Sequence, residues 1–280
     1  MMRVLYILLM ALSVSACEPQ EPKPIADYFQ GRSACFLVYH LNSNTLPIEY
    51  NKQRCAQQIS PNETFQIPLS LMAFDQQLIS QDMHFKWDGV STGLVSWDHN
   101  QTPQEWLSNS VGWVSEQITA QLGIEKIQAY LKTFDYGNQD FSGDAGKNNA
   151  LKQAWLSSSL KISGYEQLEF LKKLVNNDLS LSPASMFETK DNMYLARSDM
   201  GWRLYGKIGS GIDSDFPNQP GFEDGWFVGF VQKDQQVFIV VLNYSDHEQP
   251  KELARAGVIA KNITQAILKN RAEFYFKKRQ

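Results

Sequence analysis

Residues 60–75, "SPNETFQIPLSLMAFD", place a carboxylate, Glu63, ahead of an apolar segment and an amide, Gln66, three residues later. At helical spacing the two share a face. A positioned carboxylate can act as a general acid or base, but it is a weak nucleophile toward an amide, and a glutamine does neither. A structural reading fits the same letters. Ser60 to Glu63 spell S-x-x-E, a capping box in which Glu63 reaches back to the backbone N–H of Ser60 and stabilises the helix by about 1 kcal/mol. The four histidines, His40, His84, His99 and His247, lie scattered without ligand spacing, so no metal and no other cofactor is expected.

The elements that must position these residues follow from periodicity. "ACFLVYHL", the turn cluster "NSNT" and "LPIEY" read as a hairpin near the start of the chain. Helical spacing runs through residues 60–80, then 104–123 and 124–137, where Gly123 and Gly137 supply stops, and again through "SGYEQLEFLKKLVNND". Residues 82–104 are loop-like. Aromatic and β-branched residues in "WRLYGKIGSG" and on both sides of the "KDQQ" turn predict at least three more antiparallel strands. "PKELARAGVIAKNITQAILKNR" closes as a helix. Strands at both ends around a helical middle make this an α+β chain, its antiparallel sheet built from both termini with a helical lobe inserted.

Several ordered motifs together resemble the class D serine β-lactamases, the oxacillinase family, and the related sensor domains of penicillin receptors. "SPNETFQI" is similar to the family's S-P-x-S-T-F-K-I segment, and "NSV" at 109–111 fits the second motif's spacing. "YGN" at Tyr136 to Asn138, "AWLSSSLKIS" at 154–163, "YGKIGSG" at 205–211 and "WFVG" at 226–229 follow in order, so the resemblance spans about Cys35 to Arg271. It implies a serine β-lactamase or DD-transpeptidase-like fold over residues 29–280. It also implies an acyl-transfer site made of a serine nucleophile, a carbamylated lysine one turn later as general base, oxyanion-binding N–H groups, and a K-T-G strand with a later arginine for the substrate carboxylate.

Set on this sequence, the serine position is Glu63 and the lysine position is Gln66. S-x-V becomes Ser110-Val111-Gly112, without the apolar side chain that covers the carbamate, and K-T-G becomes Lys207-Ile208-Gly209, without a hydroxyl for the carboxylate. Ser110, Tyr136, Asn138, Trp155, Lys207, Gly209, Trp226 and Arg255 stand where the resemblance puts them. Of these, Ser110, Lys207 and Arg255 are the expected ligand-binding residues, and Lys207 is expected to pair with Glu63. The implied function is a non-hydrolysing binding or interaction protein. The alternatives are a weak β-lactamase or penicillin-binding protein that uses Ser110, a hydrolase that uses Glu63 as acid or base, and a structural lipoprotein with a vestigial cleft.

The N-terminal "MMRVLYILLMALSVSAC" has one positive charge at Arg3, a short apolar run and small residues before Cys17, the layout of a secretory signal over residues 1–16. "VSAC" resembles a bacterial lipobox, which implies lipidation of Cys17 and a proline-rich tether over residues 17–28. Glu18, where an aspartate is absent, favours the outer membrane of a Gram-negative host, facing the periplasm. Of the three cysteines, Cys35 and Cys55 remain, and in an exported chain they could form a disulfide or stay as two buried thiols. With 26 basic against 30 acidic side chains the net charge is −4, which excludes the basic stripe that nucleic acid needs. The partners expected are the membrane through Cys17 and a small molecule, a peptidoglycan fragment or an envelope protein in the cleft. Cys17→Ser is expected to move the protein from the membrane to the soluble fraction of the cell, as read by immunoblot. An unchanged distribution would count against lipidation.

Overall fold

The apolar runs at the two ends of the chain meet in one six-stranded sheet whose neighbouring strands are all antiparallel. The computed structural model describes residues 22–249 and 254–275. Strands β1 (Arg32–His40) and β2 (Thr45–Tyr50) form the first hairpin and lead into α1 (Lys52–Ala56). The helical lobe follows as α2 (Gln66–Asp75), α3 (Pro103–Asn109), α4 (Gly112–Leu122), α5 (Ile124–Phe134), α6 (Ala150–Gln153), α7 (Gly164–Asn176) and α8 (Pro183–Asn192). Strands β3 (Tyr194–Arg197), β4 (Arg203–Ile212), β5 (Glu223–Lys233) and β6 (Gln236–Asp246) return to the sheet, and α9 (Ala256–Tyr275) packs behind it. The strand order β2-β1-β6-β5-β4-β3 pairs the first strand with the last, so the sheet forms only when both ends of the chain are in place.

Strand alternation explains the two cores. Leu37, Trp226, Val228, Ile239 and Val241 face the helical lobe, while Phe36, Phe227, Val240, Leu242 and Tyr244 face α9. Both faces of the central strands are therefore dry, and each fully buried aliphatic or aromatic side chain contributes about 1.5–3 kcal/mol.

Two features depart from the helical pattern of the sequence. The segment 104–123 is broken: Ser110 takes a left-handed conformation (φ 56°), with its N–H on Leu107 O and that of Val111 on Trp106 O. This pair of bonds is a Schellman stop, and it turns the Ser110 side chain away from either helix axis. The start of the other segment is also rearranged. Asn62 has φ 49°, residues Asn62–Phe65 form a 3-10 turn, and α2 begins only at Gln66. The expected Ser60–Glu63 capping box does not form, because the left-handed residue between them aims the two side chains apart. Ser60 Oγ instead accepts from Lys161 Nζ at 3.0 Å and donates to Ser158 O at 3.4 Å.

Part of the expected tether is also fixed. Lys23 N donates to Asn270 Oδ1 at 3.0 Å, Ile25–Tyr28 form a 3-10 turn, and Phe29 is buried. The signal segment and Cys17 lie outside the described residues. Cys35 of β1 and Cys55 of α1 are joined in a disulfide, which resolves the alternative left open above.

Next to that disulfide, buried Arg54 donates from Nε to Asn243 Oδ1 at 3.0 Å and from Nη2 to Ser245 Oγ at 2.6 Å, with Asp224 Oδ1 at 3.8 Å. This network clamps α1 to the ends of β5 and β6, just before the chain enters the 60–65 turn. Burial pushes the Asp224 carboxyl up to about 6, against the opposing pull of the Ser245 hydroxyl and the Arg54 charge. A carboxyl raised on folding stabilises the protein fully below its unfolded value, and that contribution is lost as pH rises through the folded value. Asp224→Asn removes the effect. The stability advantage of the parent over this variant is expected to shrink by about 2 kcal/mol between pH 4 and pH 6.5, measured by urea unfolding. Parallel pH profiles would refute it.

Candidate active site

The site is built where β4 passes the turn that leads into α2. Strand β3 pairs only with Arg203 to Tyr205, so from Lys207 onward the outer edge of β4 has no strand partner and faces residues 61–64. The approach is close. A Cβ on Gly209 would lie 2.9 Å from Pro61 O, and one on Gly211 would lie 2.3 Å from Asn62 Oδ1. From behind, a Cβ on Gly257 of α9 would lie 2.7 Å from Gly209 O. The turn is held from other directions by Trp226 Nε1 donating to Ser60 O at 2.9 Å, by the Ile59–Ile162 bridge, and by Ser157 N donating to Asn62 Oδ1 at 3.1 Å.

Glu63, half-buried, turns its carboxylate onto this edge, where Oε2 accepts a hydrogen bond from Ser210 N at 2.7 Å. Its other oxygen takes no hydrogen bond or ion pair among the described residues. Lys207 is 2% exposed, and its Nζ donates to Ser110 Oγ and, at 3.0 Å, to Ile208 O. The expected Glu63–Lys207 contact pair is therefore corrected: the ammonium is satisfied by Ser110 and a carbonyl, and Glu63 acts on it only at longer range. Burial lowers Lys207 to about 8, and the Glu63 charge pulls the other way.

Gln66 is buried, with Nε2 donating to Ser115 Oγ at 2.9 Å, a hydroxyl that also accepts from Trp106 Nε1 at 3.0 Å. Gln66 Oε1 has no partner among the described residues. Arg255 is exposed and already paired, with Nε 2.5 Å from Glu223 Oε1 and Nη2 3.5 Å from Ser210 O. Ile212 N donates to Ser157 Oγ at 2.9 Å. So the outward main-chain groups at 208, 210 and 212 are met by side chains of Lys207, Glu63, Arg255 and Ser157.

Other residues picked from the sequence support this floor without lining it. Tyr136 is buried against Phe65, its hydroxyl accepts from Gln167 Nε2 at 3.2 Å, and burial pushes its phenol far above the usual range. Trp155 stacks on Phe65 with ring centroids 5.4 Å apart. Asn138 is exposed and pins the 159–161 segment, donating to Ser159 O at 2.8 Å and accepting from Lys161 N at 2.9 Å. Ile208 packs against the layer under α9. Among the described residues no cluster of His, Cys, Asp or Glu is arranged to hold a metal ion.

The comparisons agree with this architecture. Residues 23–269 match the penicillin binding protein transpeptidase domain family. Over 239 residues the chain is 43% identical to the β-lactamase OXA-1 of Escherichia coli, across 85% of this chain and 82% of that protein. The chain belongs to the class D β-lactamase and penicillin-receptor family. The OXA-427 class D β-lactamase structure superposes with a TM-score of 0.76 at 34% identity, covering 86% of this chain and 99% of that one. The C-terminal domain of the Bacillus licheniformis BlaR penicillin-receptor gives 0.79 at 25% identity, covering 90% and 96%.

Within this class D fold the sequence reading missed one wall of the cleft. A Cβ on Gly112 would lie 3.1 Å from the Trp97 ring, and Trp97 Nε1 is tied to Asn109 O at 2.9 Å. The space expected to stand open at Gly112 is covered by an indole from a loop that carries no periodic signal. Ser115 and Glu223 were missed because each acts across a long stretch of chain, and Ser157, inside the quoted 154–163 stretch, was not singled out. Gly112→Val is expected to cost about 1–2 kcal/mol through crowding against this ring, and Trp97→Ala in the same chain is expected to recover part of it. Additive losses in a double-mutant cycle would show that the two positions do not touch.

Proposed function

We propose that this class D homologue is catalytically degenerate and serves as a non-hydrolysing binding or interaction protein of the bacterial envelope, tethered through a lipidated Cys17. The observation that carries the reading is the Glu63 carboxylate on Ser210 N. A backbone donor aimed at the head of residue 63 is the group that would steady an oxyanion formed there, and it is worth about 3 kcal/mol to acyl transfer. With a carboxylate in its place, an oxyanion roughly 4 Å away is instead repelled by about 4 kcal/mol at an effective dielectric near 20. Together these terms correspond to a rate loss on the order of 10⁵.

The nucleophile and base are also missing from the start of α2. Glu63 would form a reactive anhydride where a serine forms an ester, and buried Gln66 takes up no proton. Lys207 and Arg255, the expected carboxylate anchors, are engaged by Ser110 and Glu223. These partners favour a neutral or cationic ligand over an anionic β-lactam.

One observation favours a second reading, a weak acylating activity at Ser110, because Lys207 is hydrogen-bonded to that hydroxyl and lowered to about 8. Ser110 Oγ would attack the lactam carbonyl as the neutral fraction of Lys207 takes its proton, and the ring C–N bond would break as that proton passes to the leaving nitrogen. At pH 7 most of Lys207 is protonated, and the Glu63 charge opposes the oxyanion, so the first reading stands ahead.

Intact mass measurement after incubation with benzylpenicillin separates the two readings. No adduct is expected on the parent protein, whereas a stoichiometric adduct mapped to Ser110 would establish the second. Glu63→Ser with Gln66→Lys is expected to yield a penicillin adduct that clears slowly. If the folded double variant, also carrying Gly112→Val, Trp97→Ala and Ile208→Thr, forms no adduct, the pocket belongs to a new site.

A further inference from the structure

A second concavity lies at the other end of β4 from Ser210, between the turn joining β3 to β4 and the later part of α9. Its volume is about 500 Å³, within the range of small-molecule sites. Trp202, Leu204, Val231 and Leu268 line it and belong to the apolar layer under α9, while Arg197 and Lys269 line it as exposed cations. Met200, 48% exposed, adds an apolar side chain to the same turn.

The charge around this cavity is opposite in sign to that of the chain, whose net charge is −4. Arg197 Nη2 and Lys233 Cε converge on Gly201, at 3.8 and 3.9 Å from the position its Cβ would take. The acidic residues of these turns are Asp199 and Asp234. Neither they nor Arg197, Arg203, Lys233 and Lys269 form an ion pair among the described residues. Arg197 and Lys269 line the hollow against one lining carboxylate, Asp199, and Lys233 stands beside Arg197, so its mouth carries a net positive charge.

We propose that this cavity binds one amphipathic anion, a carboxylate on an unbranched aliphatic tail, with the tail on Trp202, Leu204, Val231 and Leu268 and the head between Arg197 and Lys269. The site is independent of the Glu63 cleft, which disfavours anions. A single concave hollow suits one tail and not a bilayer surface. Charge complementarity selects the anion: a cation of equal length would meet the same apolar wall but be repelled at the mouth.

The test is a titration of the purified protein with monomeric decanoate, with decyltrimethylammonium as the cation of matched length, followed by methyl NMR at Met200, Leu204, Val231 and Leu268. Decanoate is expected to bind one-to-one and saturably, at least about tenfold more tightly than the cation, and more weakly as salt is raised. Arg197→Glu with Lys269→Glu changes two exposed side chains and is expected to lower decanoate affinity at least about tenfold and reverse the preference. Equal binding of both amphiphiles would overturn the proposal. So would shifts centred on the Glu63 cleft, or binding to phosphatidylglycerol vesicles with no response to decanoate.

Discussion

The arrangement rests on one steric constraint, the approach of the β4 main chain to the turn at 61–64 on one side and to α9 on the other. Gly209 stands between Pro61 and Gly257, and a Cβ at either glycine would strike backbone. No side chain could yield to make room, so the strand, the turn and the helix are fixed as one unit. The consequence is chemical as well as structural. With its edge brought against residue 63, Ser210 N–H must find an acceptor there, and the Glu63 carboxylate is the group within reach.

An unpaired sheet edge is a row of open donors and acceptors, and proteins usually cover it or let a ligand complete it. Here the chain covers its own edge with Glu63, Lys207, Ser157 and Arg255. Each of these contacts competes with a ligand for the same main-chain atom. The cleft of a class D fold is kept in outline while its strand edge is occupied from within.

The support beneath the cleft is arranged differently. The Cys35–Cys55 disulfide and the Arg54 network anchor α1, and Trp226 holds Ser60, so the entry to the 61–64 turn is fixed by groups on the sheet. Phe65, Tyr136 and Trp155 then pack behind the turn from the helical lobe. The buried Arg54 guanidinium is shared between Asp215 at 3.4 Å and Asp224 at 3.8 Å, and burial raises the Asp224 carboxyl to about 6.

By itself the sequence determined the α+β class, the strands at both ends, the apolar faces and the residue types at 63 and 66, because these depend on periodicity and chemical identity. Ordered motifs were enough to specify the family. Tertiary structure decided where the charges went. The capping box failed because Asn62 turned left-handed, a conformation set by packing against β4 and not by its neighbours in sequence. The acceptor for Ser210 N–H is 147 residues away, and the partner of Lys207 is 97 residues away. Trp97 covers Gly112 from an aperiodic loop, where propensity has no signal to give. Local sequence fixes which groups are available, whereas the cost of leaving a buried donor or cation unpaired is settled only when distant segments come together.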